Sequence, residues 1–185
     1  MNINSLITII IPTTPERRER LQECLNAVRD NSNFPHRILI YEGNDGGYVK
    51  AVHRAVEDIN GLVCVIGDDM IPQKDWLKHL AETYNDNLVF PDDGISKGKL
   101  ATAFLCSADY LRKYLYKGYS HLFSDRELTA VSKILGKLQY VPESKVIHNH
   151  WSTGAKKDNT YLAQDKTKDK DRELFFIRKA KNFDL

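Results

Sequence analysis

Two neighbouring carboxylates, Asp68 and Asp69, follow Gly67 at the end of an apolar run, Leu62 to Ile66. Adjacent buried acids repel each other and are costly unless a cation stands between or beside them, so the pair points to a divalent metal. The plainer reading is a turn in which Asp68 caps the segment that follows. Farther along, His148-Asn149-His150-Trp151 closes another short apolar run, and side chains two apart on a strand face the same way, which lets His148 and His150 share one site. Its plainer reading is one structural and one solvated histidine. Carboxylate and imidazole ligands together suit Mn²⁺ or Mg²⁺ better than a thiolate-type zinc site.

A third cluster, Ser124-Asp125-Arg126-Glu127, opens an amphipathic helix with Leu128, Val131 and Leu135 on its buried side. Ser124 and Glu127 have the spacing of a capping box, and Asp125 complements the helix dipole. A carboxylate at a helix start that faces a cleft also serves as a general base. Asp92-Asp93-Gly94 reads as an acidic turn before a ligand, His53 as a structural histidine on an apolar helix face, and Lys156 and Lys157 as solvated. A loop lysine closing over a diphosphate is the alternative for that last pair. Gly43 to Gly47 matches neither a Walker phosphate loop nor G-x-G-x-x-G, so nucleotide binding of those two kinds is unsupported.

These residues need a scaffold, and the first half of the chain spells one out. Leu6–Ile11 reads as a strand buried on both faces, closed by Pro12-Thr13-Thr14-Pro15. Thr13 and Glu16 have capping-box spacing, Pro15 suits a first helical turn, and Leu21, Cys24, Leu25 and Val28 form one helical stripe. Strands at Arg37–Tyr41 and Leu62–Ile66 alternate with helices marked by Val49, Val52, Val56 and Ile59, and by Trp76, Leu77, Leu80 and Tyr84. Alternating strands and helices predict a parallel sheet covered on both faces, with ligands beyond the carboxyl ends of the strands. The second half predicts strands at Leu88–Pro91, Leu100–Leu105, Leu138–Val141 and Lys145–His148, and helices at Ser107–Tyr116 and Ser124–Leu135. From Ser152 the chain turns polar, a loop before a docked terminal helix that carries Leu174 to Ile177.

With 185 residues, 42% hydrophobic and 28% charged, the chain matches a soluble globular domain rather than a disordered or fibrous one. A net charge of +2 does not suggest a dedicated polyanion binder. Cys24, Cys64 and Cys106 sit in apolar runs without C-x-x-C spacing, which predicts buried free thiols and a reducing, cytoplasmic compartment. No transmembrane segment or signal peptide is expected.

In this order the clusters resemble GT-A glycosyltransferases of the family-2-like kind, which use nucleotide sugars, over about residues 6–150. The strand Ile7–Ile11 with Pro12-Thr13-Thr14 resembles the family's first strand, whose end touches the base. Glu42 matches its second base contact, and Gly67-Asp68-Asp69 falls at its D-x-D motif, followed by Pro72 and Trp76. Asp125 within Phe123-Ser124-Asp125-Arg126-Glu127-Leu128 matches the catalytic base. Tyr140-Val141-Pro142-Glu143 with Val146-Ile147-His148 matches the strand ending in a metal-binding histidine. Two positions depart from the pattern. Gly67 replaces the first D-x-D aspartate, and Ser124 precedes Asp125 where the family often has Glu, which leaves the base between Asp125 and Glu127.

The resemblance implies a single α/β GT-A (Rossmann-like) domain at residues 1–151, with a mostly parallel central sheet flanked by helices, and a loop and helix at 152–185 packed on it. It implies metal-dependent transfer of a sugar from a nucleoside diphosphate donor, UDP by default, to an acceptor hydroxyl with inversion. Asp69, His148 and His150 would bind Mn²⁺ or Mg²⁺. Pro12, Thr13, Thr14, Arg17, Glu42, Lys50, Asp68 and Asp92 would bind the nucleotide sugar. The acceptor stays open among a glycan, a lipid-linked sugar, a protein and a modified nucleic acid base. The rival readings are a non-catalytic nucleotide-sugar binding module and a metal-dependent hydrolase built on Asp68, Asp69, His148 and His150.

Overall fold

A computed structural model of the chain describes residues 6–43, 47–154 and 158–185. Lys156 and Lys157, and Asn44, Asp45 and Gly46 of the glycine-rich turn, lie outside the described residues. Strand β1 (Ile7–Thr13) is buried along its whole length and pairs in parallel with β2 (His36–Glu42) and β3 (Leu62–Val65). The two-residue period of the strands divides the core between two faces. Ile7, Ile9, Ile11 and Cys64 pack against α1 (Arg18–Asn31) and α3 (Trp76–Thr83). Ile10, Val63 and Val65 pack on the other side with α2 (Tyr48–Val56), α4 (Ala108–Tyr114) and α5 (Ser124–Ile134). The three cysteines are buried and free.

The second half continues the same sheet with both directions mixed. Strand β6 (Phe104–Ser107) runs antiparallel to β3 and to β5 (Leu88–Asp92), and β5 pairs in parallel with β7 (Leu138–His148). A short strand, β4 (Met70–Pro72), pairs antiparallel with the end of β7, giving the order β2-β1-β3-β6-β5-β7-β4. The two short strands predicted at 138–141 and 145–148 are therefore one strand with a break in register. Val141 opposes Pro91, whereas Lys145 opposes Asp92. Pro142 has no N–H for the ladder, and the buried Ser144 turns its hydroxyl to Trp76 O (2.8 Å), which accounts for the bulge. The strand predicted from Leu100 begins only at Phe104, because the Thr102 hydroxyl is drawn to Asp93 (2.8 Å).

The capping box of Thr13 and Glu16 does not form. Pro15–Arg17 is a 3-10 turn without a side-chain cap, and the Thr13 hydroxyl is used elsewhere. The terminal helix, α6 (Asn159–Ala180), is capped by the Asp158 side chain, which accepts the Tyr161 N–H (3.2 Å). Leu174 and Phe175 pack on the core, whereas Phe176 and Ile177 stay exposed. Among the described residues no helix is long and apolar enough to cross a membrane.

Candidate functional site

Strands β1, β3 and β7 deliver Thr13, Gly67-Asp68-Asp69 and His148 to one edge of the sheet. Asp68 turns inward. It accepts the Thr13 hydroxyl (2.7 Å) and an N–H of Arg17 (2.5 Å), and only 2% of its surface is exposed. Burial pushes its carboxyl up to about 6 against the pull of Arg17. Asp69 turns the other way. Its Oδ1 lies 3.5 Å from His148 Nε2 and its Oδ2 accepts the Tyr161 hydroxyl at 2.6 Å. Burial opposes the charge on Asp69, but His148, Tyr161 and Arg17 together outweigh it and hold the carboxyl below the usual carboxylate range. The same carboxylate explains Gly67, where a Cβ would stand 2.7 Å from Asp69 Oδ1.

Arg17 is the hinge of this cluster. Besides Asp68, its Nε donates to Asp158 (3.0 Å), and the Tyr161 ring lies 4.9 Å from its guanidinium carbon. Its remaining nitrogen, NH2, is buried 3.6 Å from Asp69 and has no hydrogen-bond partner among the described residues. Arg20 approaches Asp158 (3.4 Å) and Asp69 (3.9 Å). His150 does not join Asp69. Its Nδ1 contacts Ser152, and its ring packs edge-on against His148 and Tyr161.

The start of α5 supplies the second acidic group. Phe123, with φ of +67°, precedes the helix, and Ser124 donates to His121 O (2.8 Å) instead of capping. The Ser124–Glu127 capping box is therefore absent, and the reason lies in Glu127. That carboxylate is buried, accepts the Tyr119 hydroxyl (2.6 Å) and is held by Arg178 of α6 through Nε (2.9 Å) and NH2 (2.8 Å). Asp125 remains apart from these pairs. Burial raises its pKa, and the Arg126 N–H and guanidinium only partly offset this. The helix start would lower it and burial would raise it, and burial prevails.

Solved structures share this arrangement of strands and helices. A mannosyltransferase from Pyrobaculum calidifontis, in complex with GDP-Man and Mn²⁺, superposes with a TM-score of 0.57 at 12% identity, covering 76% of this chain and 56% of its own. Glucosyl-3-phosphoglycerate synthase from Mycobacterium tuberculosis, in complex with Mn²⁺, UDP and glucosyl-3-phosphoglycerate, gives 0.63 at 11%, covering 78% and 72%. The fold is that of the GT-A glycosyltransferases. A glycosyltransferase from Streptococcus pneumoniae agrees, with a TM-score of 0.56 at 10% identity over 76% of this chain and 46% of its own. The chain thus spans little more than half of the mannosyltransferase and under half of the pneumococcal enzyme. No protein-family model and no curated protein matches it by sequence.

Within the GT-A fold the remaining candidates spread around the edge. Gly43 N–H donates to Thr13 O (3.3 Å), which brings the end of β2, with the exposed Glu42, beside Thr13. Thr14 Oγ1 lies 3.5 Å from Thr160 Oγ1, and Lys50 is exposed on α2. Asp92 contacts Lys145 (3.4 Å) and the Gly94 N–H (3.1 Å) rather than the Asp68–Asp69 pair. Its neighbour Asp93 shapes the loop after β5 by accepting from Ile95, Ser96 and Thr102. Sequence reasoning missed Tyr161, Asp158, His121, Asp171 and Arg178. Four of these lie at the start of or along α6, where polar residues crowd in without an apolar period, and only a search for isolated aromatic and charged residues in that tract would have marked them.

Proposed function

We propose that the chain is a metal-dependent glycosyltransferase that moves a sugar from a nucleoside diphosphate donor, UDP-sugar first among candidates, to an acceptor hydroxyl with inversion. The observation that carries the reading is the meeting of Asp69 and His148 (3.5 Å apart), brought from β3 and β7 to the strand edge where GT-A proteins bind nucleotide. The GDP-Man, UDP and Mn²⁺ complexes of its structural neighbours support the same reading.

The residues fit a divalent ion completed by the donor. Among the described residues no three acids, histidines or cysteines converge to hold a metal by themselves. Asp69 and His148 would supply two ligands, and the donor's diphosphate oxygens would supply others. Arg17 and Arg20 (+2) face Asp68, Asp69 and Asp158 (−3), so the cluster keeps one surplus negative charge for a cation. When bound, the metal would offset the charge that builds on the departing diphosphate. Thr13, Thr14 and Glu42 would hold the base, and Asp68 would keep Arg17 in place from below. Asp125, with its raised pKa, would take the proton of the acceptor hydroxyl as that oxygen bonds to the anomeric carbon and the bond to UDP breaks. The hydrolase reading loses support, because Asp68 is committed to Thr13 and Arg17 and His150 to Ser152.

The test is a donor panel with Mn²⁺, read by thermal shift and by release of UDP. A saturating true donor is expected to add roughly 2–4 kcal/mol of stability, and Asp69→Ala to lose the Mn²⁺-dependent part of it. Donor binding with no transfer to any acceptor, and no change on Asp125→Asn, would favour the binding module.

A further inference from the structure

Asp171 is a carboxylate with no exposed surface, far along the chain from the acidic edge and with no place in the mechanism above. Its two oxygens accept consecutive backbone N–H groups, Ser120 to Oδ1 (3.0 Å) and His121 to Oδ2 (3.0 Å). It is one of four residues on a single face of α6 that touch one segment. Gln164 meets His121 (3.0 Å), Asp171 holds residues 120 and 121, Phe175 packs on Phe123 (ring centroids 5.6 Å apart) and Arg178 grips Glu127. Positions 164, 171, 175 and 178 follow the helical spacing of seven, four and three. From the other side, a Cβ on Gly47 would collide with Ser120 O, so α2 presses on the same loop. The left-handed Phe123 is the kind of strained residue that persists only where its surroundings over-determine it. Asp125 lies between the pinned positions 123 and 127 and makes none of these contacts itself.

We infer that Asp171 is a positioning residue for Asp125. It anchors residues 120–123 and so fixes where α5, and with it Asp125, begins, and it does so without touching substrate. This inference rests on the assignment of Asp125 as the base. A buried charge that serves stability alone would also bond two N–H groups. The difference lies in where the loss of that charge is felt.

The experiment compares wild type, Asp171→Asn and Phe175→Leu, the last of which loosens the loop at Phe123 without unpairing a charge. Amide hydrogen exchange is read by residue, UDP–Mn²⁺ binding by calorimetry, and turnover with the donor that wild type accepts best. The expected result is faster exchange at residues 123–126 in both variants and unchanged UDP–Mn²⁺ binding. With it goes a fall in kcat on the order of 10–100-fold at near-constant donor KM, because a misplaced base slows chemistry without weakening donor contacts. Faster exchange confined to Ser120 and His121, or a fall in kcat matched by lost UDP binding, overturns the inference. Should wild type turn over no donor, the transferase reading fails by itself, and the exchange at 123–126 still decides whether Asp171 sets the start of α5.

Discussion

Two acidic pairs in this molecule, Asp68–Asp69 at the end of β3 and Asp125–Glu127 at the start of α5, are built to one plan. In each, an arginine from a distant segment makes its shortest ion pair with one carboxylate and leaves the other more loosely held. Arg17 takes Asp68 at 2.5 Å, and Arg178 takes Glu127 at 2.8 Å. The pairs differ in the state of the carboxyl left over. Asp69 is held below the usual range by His148, Tyr161 and Arg17, the state that the proposed metal ligand needs. Asp125 is pushed up by burial, the direction that the proposed base needs. Under the proposed reading, neighbouring acids take opposite roles according to which one an arginine holds most tightly.

Exchanging the roles is the sharpest way to break this comparison. Asp125→Asn should lower transfer on the order of 10²–10⁴-fold with donor binding and melting temperature nearly unchanged. If Glu127→Gln shows that loss and Asp125→Asn does not, the locked and free members are the reverse of those described. Next in size is Arg178→Ala, which strands Glu127 without its buried cation. Breaking such a pair costs about 3 kcal/mol or more, so the urea midpoint should fall clearly, while Lys50→Ala, on an exposed helix position, leaves it in place.

The ground between the pairs is read by pH. Burial holds His121 neutral and lowers its pKa to about 4, with the charge of Arg17 adding to the effect. A histidine that stays neutral when folded binds fewer protons than the unfolded chain, so its stabilising contribution is full above about 6.5 and is lost as pH falls towards 4. The slope approaches about 1.4 kcal/mol per pH unit within that window and should flatten in His121→Gln. The smallest effect concerns Tyr161, whose hydroxyl already occupies Asp69. Tyr161→Phe frees that oxygen, and a hydrogen bond worth about 1 kcal/mol predicts roughly fivefold tighter Mn²⁺ binding in the presence of UDP. Weaker binding instead would mean that Tyr161 helps to build the metal site.

The strand ends that carry Thr13, Asp68, Asp69 and His148 were legible because apolar β-branched runs stop abruptly at polar residues, a contrast that survives without any knowledge of partners. Positive charge placed at a distance was not legible. Nothing local marks Arg17 as the partner of Asp68 across 51 positions, or Arg178 as that of Glu127, and both expected capping boxes failed because a long-range partner claimed the same side chain. The bulge in β7 was half legible, since Pro142 announces a break but the continuation of pairing beyond it depends on β4, three residues with no pattern of their own. The terminal helix was expected around Leu174 to Ile177, but the earlier turns of α6, from Asn159, escaped because their buried positions are polar or aromatic singletons rather than a stripe.

The separation between Glu127 and Arg178 also sets a clock. At about 5–20 residues per second of synthesis, the 51 residues between them take roughly 3–10 s to appear, and through that interval Glu127 has no cation to enter the core with. A nascent chain released to fold before α6 emerges would have its sheet but would lack the Asp158 and Tyr161 partners of Arg17 and Asp69 and would keep the start of α5 open to water.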